Sequence, residues 1–149
     1  MIVDLRGALL READLSGANP SDVKLNETAL IGANLSRAVL DGADMRRTDL
    51  SDADVSWASL IGADLSKACL AGASFIGASL GNANLGEANL SGAYMGGAYM
   101  EDAKGVTNQE LKQHAYSLEG ATMPDGRKYE EWLEDTVGRG EDRKNGGSS

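Results

Sequence analysis

The chain has 149 residues, a length typical of one domain, and 42% of its residues are hydrophobic, which excludes wholesale disorder. Aromatic residues make up only 5%, so a core of interlocking rings is excluded as well. The formal net charge of −9 argues against direct nucleic-acid binding, because contact with phosphates needs a basic face.

The N-terminal stretch MIVDLRGALLREADL carries charges among its first residues, which excludes a signal sequence within it, and no later stretch approaches a membrane span. We therefore expect no membrane span and a cytoplasmic protein. The alternative is the thylakoid lumen or another compartment, if a targeting peptide has been removed. The single cysteine, Cys69, agrees with a reducing compartment.

A five-residue repeat runs through most of the chain. Every fifth residue from Leu5 to Met100 is large and apolar, except Pro20, and the residue two positions earlier is usually alanine. In a helix, apolar residues at every fifth position would be distributed around the whole circumference and would form no apolar face, so a long helix is rejected. In an extended segment, residues two apart point to the same side, and the two remaining residues supply a turn. The repeat thus predicts an all-β solenoid built from five-residue sides.

The units ADLSG at 13–17, ANLSR at 33–37, ADLSK at 63–67 and ANLGE at 83–87 resemble the consensus of the pentapeptide-repeat family. The tail SLEGATMPDGRKYE also resembles tails of cyanobacterial members. The resemblance implies a right-handed quadrilateral β-helix with four units per turn. Residues twenty apart should then stack in about five coils.

Pro20 is predicted to lie on the outer rim of the first coil, where a missing N–H costs little and proline discourages edge-to-edge growth. The N-terminal end has no cap comparable with the helices predicted at the other end. A monomer is favoured, with an end-to-end dimer as the alternative.

Residues that could carry chemistry are few. Asp44 and Asp64 should stack as a carboxylate pair, but Arg46 lies beside them and a flat face supplies no pocket, so a solvated charge ladder is favoured. Cys69 and His114 are the only cysteine and histidine, and His114 lies outside the repeat. No metal site, Cys–His nucleophile or nucleotide motif can be assembled. We predict that the protein is not an enzyme and has no cofactor.

Outward apolar residues give the best candidate site. Trp57, Ile61 and Ile76 are predicted to form a contact patch for a protein partner. Isolated exposed apolar residues are common in folded proteins, so a patch without function is the alternative.

Three regions are predicted: a repeat β-helix at 1–104, a helical C-terminal cap at 105–137 and a disordered tail at 138–149. Thr107 and Glu110 have capping-box spacing at the start of a first helix. The predicted apolar stripes are Leu111, Ala115 and Leu118 on the first helix, and Tyr129, Trp132, Leu133 and Val137 on a second helix after a turn at 124–126.

The predicted function is a non-catalytic protein-interaction or scaffold module with an unknown partner. The alternative is a DNA mimic that binds a type II topoisomerase such as gyrase. Duplex DNA about 25 Å long carries about fourteen negative charges. Residues 1–104 contain 14 acidic and 8 basic residues, a net charge of only −6, which disfavours the mimic.

Overall fold

The structure, a computed structural model, describes residues 4–19 and 23–145. The prediction made for Pro20 falls outside these residues and stays a prediction.

Parallel β-bridges join residues that are twenty apart, as in Asp4↔Lys24 and Lys24↔Asp44. The hydrogen bonds alternate in direction: Leu5 N donates to Lys24 O at 2.9 Å, and Ala29 N donates to Ala8 O at 3.0 Å. Since the repeat has five residues, a register of twenty gives four sides per turn. The predicted twenty-residue stacking is confirmed, with one bridging residue on each short side.

The alanine and the large apolar residue of each unit point into the coil. Ala58 and Leu60 are both buried, and the residue between them, Ser59, faces outward. Threonine replaces the alanine at two buried positions. Thr48 Oγ1 donates to Leu25 O at 2.8 Å, so the hydroxyl has a partner inside an otherwise apolar core.

Each side ends in a tight turn. Ala63 N donates to Leu60 O at 3.0 Å, and the second central residue of the repeated turn has a positive φ, as in type II turns. An aspartate or asparagine before the turn supports it: Asp64 Oδ1 accepts from Ser66 N at 3.0 Å and from Ser66 Oγ at 2.6 Å. The family-like A-D-L-S units thus encode both the inward pair and the turn.

The outward residues form four columns, one on each face of the coil, and we number the faces in chain order. Face 1 carries Asp4, Lys24, Asp44, Asp64, Asn84 and Lys104; face 2 carries Leu9, Ala29, Asp49, Cys69 and Asn89; face 3 carries Asp14, Asn34, Asp54, Ser74 and Tyr94; face 4 carries Asn19, Val39, Ser59, Ser79 and Tyr99.

The first helix, α1, spans Asn108–His114 and begins with the predicted capping box between Thr107 and Glu110. The predicted continuous stripe through Leu118 is wrong, because α1 ends at His114. The chain then returns to the coil: Tyr94 bridges to Ser117 and Tyr99 bridges to Thr122.

Residues 116–118 and 121–123 therefore add two sides to faces 3 and 4. Their register is 23 rather than twenty because α1 lies between them and the repeat. Leu118, Ala121 and Met123 are buried like the inward residues of the repeat. The region predicted as a helical cap at 105–137 contains these two β-sides in addition to α1 and the first part of α2.

The second helix, α2, spans Tyr129–Asn145. Trp132 is buried and Lys112 Nζ lies 5.9 Å from its ring centroid, but Val137 is 53% exposed and does not share the buried face. α2 continues through residues 138–145, and the disordered tail predicted for 138–149 stays a prediction. No helix in the described part of the chain is long and apolar enough to cross a membrane.

Candidate functional site

Face 4 differs from the other three faces in charge. Its outward residues within the described part of the chain are Asn19, Val39, Ser59, Ser79 and Tyr99, and none is ionised at neutral pH. Faces 1, 2 and 3 each carry at least one aspartate. Face 4 is therefore the face on which apolar contact requires the least desolvation of charge.

The three residues predicted as a contact patch all border face 4. Trp57 and Ile76 lie at the corner between faces 3 and 4, whereas Ile61 lies at the corner between faces 4 and 1. Their exposed fractions are 63% for Trp57, 48% for Ile61 and 42% for Ile76. The structure places Trp57 and Ile61 on opposite edges of one face, with Ser59 between them, so they frame a surface instead of forming one cluster.

Val39 and Tyr99 extend this apolar surface along face 4, and both are exposed. We call the five residues Val39, Trp57, Ile61, Ile76 and Tyr99 the face-4 patch. Val39 and Tyr99 were not part of the predicted contact patch. The signal for both was the twenty-residue column that they share with Ser59 and Ser79.

Hydrogen bonds fix the edge of face 4 that carries Ile61. Asp41 Oδ1 accepts from Ser59 Oγ at 2.5 Å and from Ile61 N at 3.0 Å. The Tyr99 hydroxyl donates to Glu101 Oε2, and this hydrogen bond raises the pKa of Tyr99. The acidic side chains at this corner therefore hold the neighbouring patch residues in place.

Trp57 combines an exposed ring with a strained backbone. Its φ is +61°, which side chains with a Cβ rarely adopt. The indole lies across Gly77, one coil further on: a Cβ atom on Gly77 would be 2.5 Å from Cε3 and 2.6 Å from Cζ3 of Trp57. The Trp57 ring thus packs directly on the backbone of Gly77, in the space that a side chain there would occupy.

We predict that Gly77→Ala displaces the Trp57 ring. The added methyl group occupies the space that the indole fills, and the φ of +67° adds about 1–2 kcal/mol of backbone strain. The matched control is Gly97→Ala, whose φ is +64° but whose new methyl group meets nothing closer than 3.9 Å. Indole NMR shifts should move only in Gly77→Ala. Equal indole shifts in both variants would contradict the packing of the Trp57 ring on Gly77.

The two candidate carboxylates on face 1 have separate partners: Asp44 is ion-paired with Arg46, and Asp64 accepts hydrogen bonds from Ser66. Arg46 Nε and Nη2 donate to the two carboxylate oxygens of Asp44, each at 2.8 Å. These bonds hold the pKa of Asp44 below its usual value. Asp64 is occupied by Ser66, as described above. With its pKa lowered by Arg46, Asp44 is unsuited to act as a general acid near neutral pH.

The Asp44–Arg46 pair predicts a small acid dependence of stability. A lowered folded-state pKa contributes stability above the unfolded value near 3.8, and this stability is lost as the pH falls through the folded value. Since both side chains are partly exposed, we expect a loss of no more than about 1 kcal/mol. Asp44→Asn should lose less stability than the wild type between pH 5 and pH 2 in urea titrations. Parallel curves for the two proteins would exclude the contribution.

The remaining candidate residues do not assemble a reactive site. Cys69 is half-buried on face 2, with Ser51 Oγ at 3.1 Å, and His114 ends α1. Among the described residues, no group of three or more histidine, cysteine, aspartate or glutamate side chains is arranged to hold a metal ion.

Comparisons with known proteins identify the repeat. A family model described as pentapeptide repeats matches residues 4–40, 30–66 and 68–104. The comparison with curated proteins finds no match.

Several solved structures are similar to this chain. A pentapeptide repeat protein from the thylakoid lumen of Arabidopsis thaliana is 29% identical, with 85% of this chain and 88% of that chain covered and a TM-score of 0.49. HetL, from the cyanobacterium Nostoc sp. strain PCC 7120 and involved in heterocyst differentiation regulation, is 33% identical, with coverages of 84% and 63% and a TM-score of 0.29. QnrB1, a plasmid-mediated fluoroquinolone resistance protein, is 14% identical, with coverages of 93% and 90% and a TM-score of 0.35.

Proposed function

Because this chain belongs to the pentapeptide-repeat family, we propose that it is a non-catalytic protein-interaction or scaffold module that contacts a protein partner through face 4. Proteins with these repeats are right-handed quadrilateral β-helices and are generally not enzymes. For this chain the proposal further comprises about five coils, closed at the C-terminal end by α1, the two added sides and α2. The proposed compartment is the cytoplasm, with the thylakoid lumen as the alternative.

The exposed indole of Trp57 at the edge of an uncharged face is the observation that carries this proposal. Its column also contains Arg37, with the same φ of +61°, and Gly17, Gly77 and Gly97, which adopt a positive φ without a Cβ. Tryptophan at this position costs about 1–2 kcal/mol of backbone strain relative to glycine. The ring remains 63% exposed, so its burial within the chain offsets little of that cost. Ten non-glycine residues among those described share this positive φ, so the exposed indole, and not the backbone conformation, distinguishes Trp57.

The chemistry of face 4 supports a protein partner. Tryptophan, tyrosine and isoleucine side chains form the apolar centre typical of protein interfaces, and they surround uncharged serines. A rigid coil with its backbone hydrogen bonds formed between turns presents this surface with little ordering cost on binding.

Affinity capture from the native cell with the full chain as bait tests the proposal. Trp57→Gly removes the indole and leaves a residue suited to the positive φ, so the fold should be retained. We expect the captured partner to be lost with this variant, equivalent to an affinity loss of at least tenfold.

Lys67→Gly is the matched control. Lys67 also has a positive φ, +58°, but it lies at the corner between faces 1 and 2, diagonally opposite Trp57. This bait should retain the partner. Equal capture by Trp57→Gly and wild type, or equal loss with Lys67→Gly, would rule out face 4 as the contact surface.

The topoisomerase alternative has less support from the surface. Mimicry of DNA requires dense negative charge along the rod, whereas the outward residues described on face 4 are uncharged. Lys24 and Lys104 interrupt the acidic column of face 1, and Arg46 and Lys67 lie in the turns beside it. Micromolar protein should leave DNA supercoiling by gyrase unchanged. Inhibition or protection of gyrase at that concentration would favour the mimic over the scaffold.

A further inference from the structure

The two edges of face 4 are chemically complementary to each other. The corner between faces 3 and 4 carries Arg37 and, one coil further on, Trp57. The corner between faces 4 and 1 carries Asp41 and, one coil further on, Ile61. At the lower level, a basic residue on one edge is thus matched by an acidic residue on the other. At the level above, both edges carry an apolar residue.

The members of each pair lie at the same height along the coil. Arg37 and Asp41 are four residues apart, as are Trp57 and Ile61, and each pair spans a single side of one turn. At about 3.3 Å per residue, the two edges are at most about 13 Å apart. All four side chains are exposed.

A two-fold axis parallel to the coil would bring these edges together. It places the face 3–4 corner of one copy against the face 4–1 corner of the other, at the same height. Arg37 would then face Asp41 of the other copy, and Trp57 would face Ile61. Every such pair occurs twice, as required for an isologous interface.

We infer that face 4 binds a second copy of this chain, side by side and parallel. This inference rests on the proposed function and names the partner of the same surface. It differs from an end-to-end dimer because the first coil is not used.

The charges around face 4 favour this pairing over an antiparallel one. Asp41 uses Oδ1 for its bonds within the chain, which leaves Oδ2 for Arg37 of the second copy. In the parallel arrangement, Glu101 and Asp102 would face Gly96 and Gly97 instead of other acidic residues. An antiparallel arrangement would bring like corners together. The net charge of −9 opposes any association, but physiological salt screens charges further apart than about 8 Å.

The area of face 4 limits the strength of the dimer. Five coils at about 4.8 Å and a width of about 13 Å give a footprint of roughly 300 Å² per copy, against about 800 Å² per partner in a stable interface. We therefore expect a weak dimer that is populated at high micromolar concentration.

Two measurements on the full chain test the inference. Sedimentation equilibrium between about 10 µM and about 1 mM should show the wild type passing from monomer towards dimer, and Trp57→Gly should weaken the dimer at least tenfold. For the arrangement, a Gly96→Cys chain is mixed with a Glu101→Cys chain, both carrying Cys69→Ser, so that Trp57 and Ile61 are kept, and the mixture is oxidised. The disulfide between positions 96 and 101 should exceed either like disulfide several-fold. Asn89→Cys, on the opposite face 2, replaces Glu101→Cys as the control and should give only background.

Monomeric wild type over the whole range, or like disulfides as abundant as the mixed one, would overturn the parallel dimer. If capture from the cell still depends on Trp57 in that case, face 4 binds a different protein and the proposed function stands. If the dimer forms while capture recovers nothing that depends on Trp57 other than the chain itself, the second copy is the partner.

Discussion

Gly105→Ala should destabilise the protein by about 2–5 kcal/mol, far more than most exposed glycine substitutions. Gly105 has a φ of +75°, which costs a residue with a Cβ about 1–2 kcal/mol. In addition, a Cβ at this position would lie 2.5 Å from both N and Cα of Gly86. These are backbone atoms, so no side chain can rotate to relieve the clash, and overpacking of this kind costs about 1–3 kcal/mol more.

The position of Gly105 explains why the two backbones approach so closely. Lys104 N still donates to Ala83 O at 2.8 Å, and the chain leaves the coil directly afterwards towards α1. Gly86 O accepts from Lys67 N at 2.8 Å, which holds Gly86 in the regular ladder. Gly86 is therefore held in place on one side of the contact, and a shift of Gly105 would disturb the adjacent Lys104–Ala83 bond.

Gly42→Ala is the control for Gly105→Ala. Its φ is +69°, but no atom lies within 4 Å of the added methyl group, so it should cost only the backbone term of about 1–2 kcal/mol. Urea unfolding of both variants gives the comparison. Equal losses of unfolding free energy in the two variants would show that the Gly86 contact relaxes without cost.

Much of the repeat region follows from sequence because one rule acts at every unit. The small and large residues two positions apart predict the buried pair, as Ala58 and Leu60 show. The two residues between units predict the turn. Trp57, Ile61 and Ile76 were predicted as exposed for the same reason, and their exposure is confirmed. The number of sides per coil could be predicted only from the family resemblance. A period of five residues fixes the length of one side but not how many sides make one coil.

The structure of the C-terminal region was harder to predict from the sequence because α1 changes the register. Leu118, Ala121 and Met123 keep the inward spacing of the repeat, and Gly120 has the positive φ of a repeat turn. Their offset from the repeat is 23, so counting in fives from Leu5 misses them. The seven-residue helix α1 takes the place of one side, on face 2; the capping box begins it and Leu111 packs against the core.

The face-4 patch was only partly predictable. Its members occupy different positions of the repeat, so no single unit reveals them. They come together only when the columns are arranged by twenty and neighbouring columns are placed side by side. The packing of the Trp57 ring on Gly77 was hard to predict for the same reason, because the two residues lie in consecutive coils.

Phe75→Ala should destabilise the protein by about 3–5 kcal/mol, the range for deleting a buried aromatic ring. Phe75 is fully buried, and its inward column also contains Val55 and Met95 in the adjacent coils. The β-bridges hold these coils at a fixed register, so the coil cannot collapse into the space that the ring leaves. A cavity therefore remains in the middle of the rod.

Phe75→Leu separates the loss of the ring from disruption of the repeat. Leucine is the residue that most units carry at this position, so the variant should cost less than about 1.5 kcal/mol. Ile76→Ala, one residue further on and pointing outward, should change stability by no more than about 0.5 kcal/mol. In urea unfolding, the free energy of unfolding of Phe75→Ala should therefore be well below that of both other variants. If Phe75→Leu is as damaging as Phe75→Ala, then the packing of the ring against its neighbours is specific and the repeat rule does not describe the core of this coil.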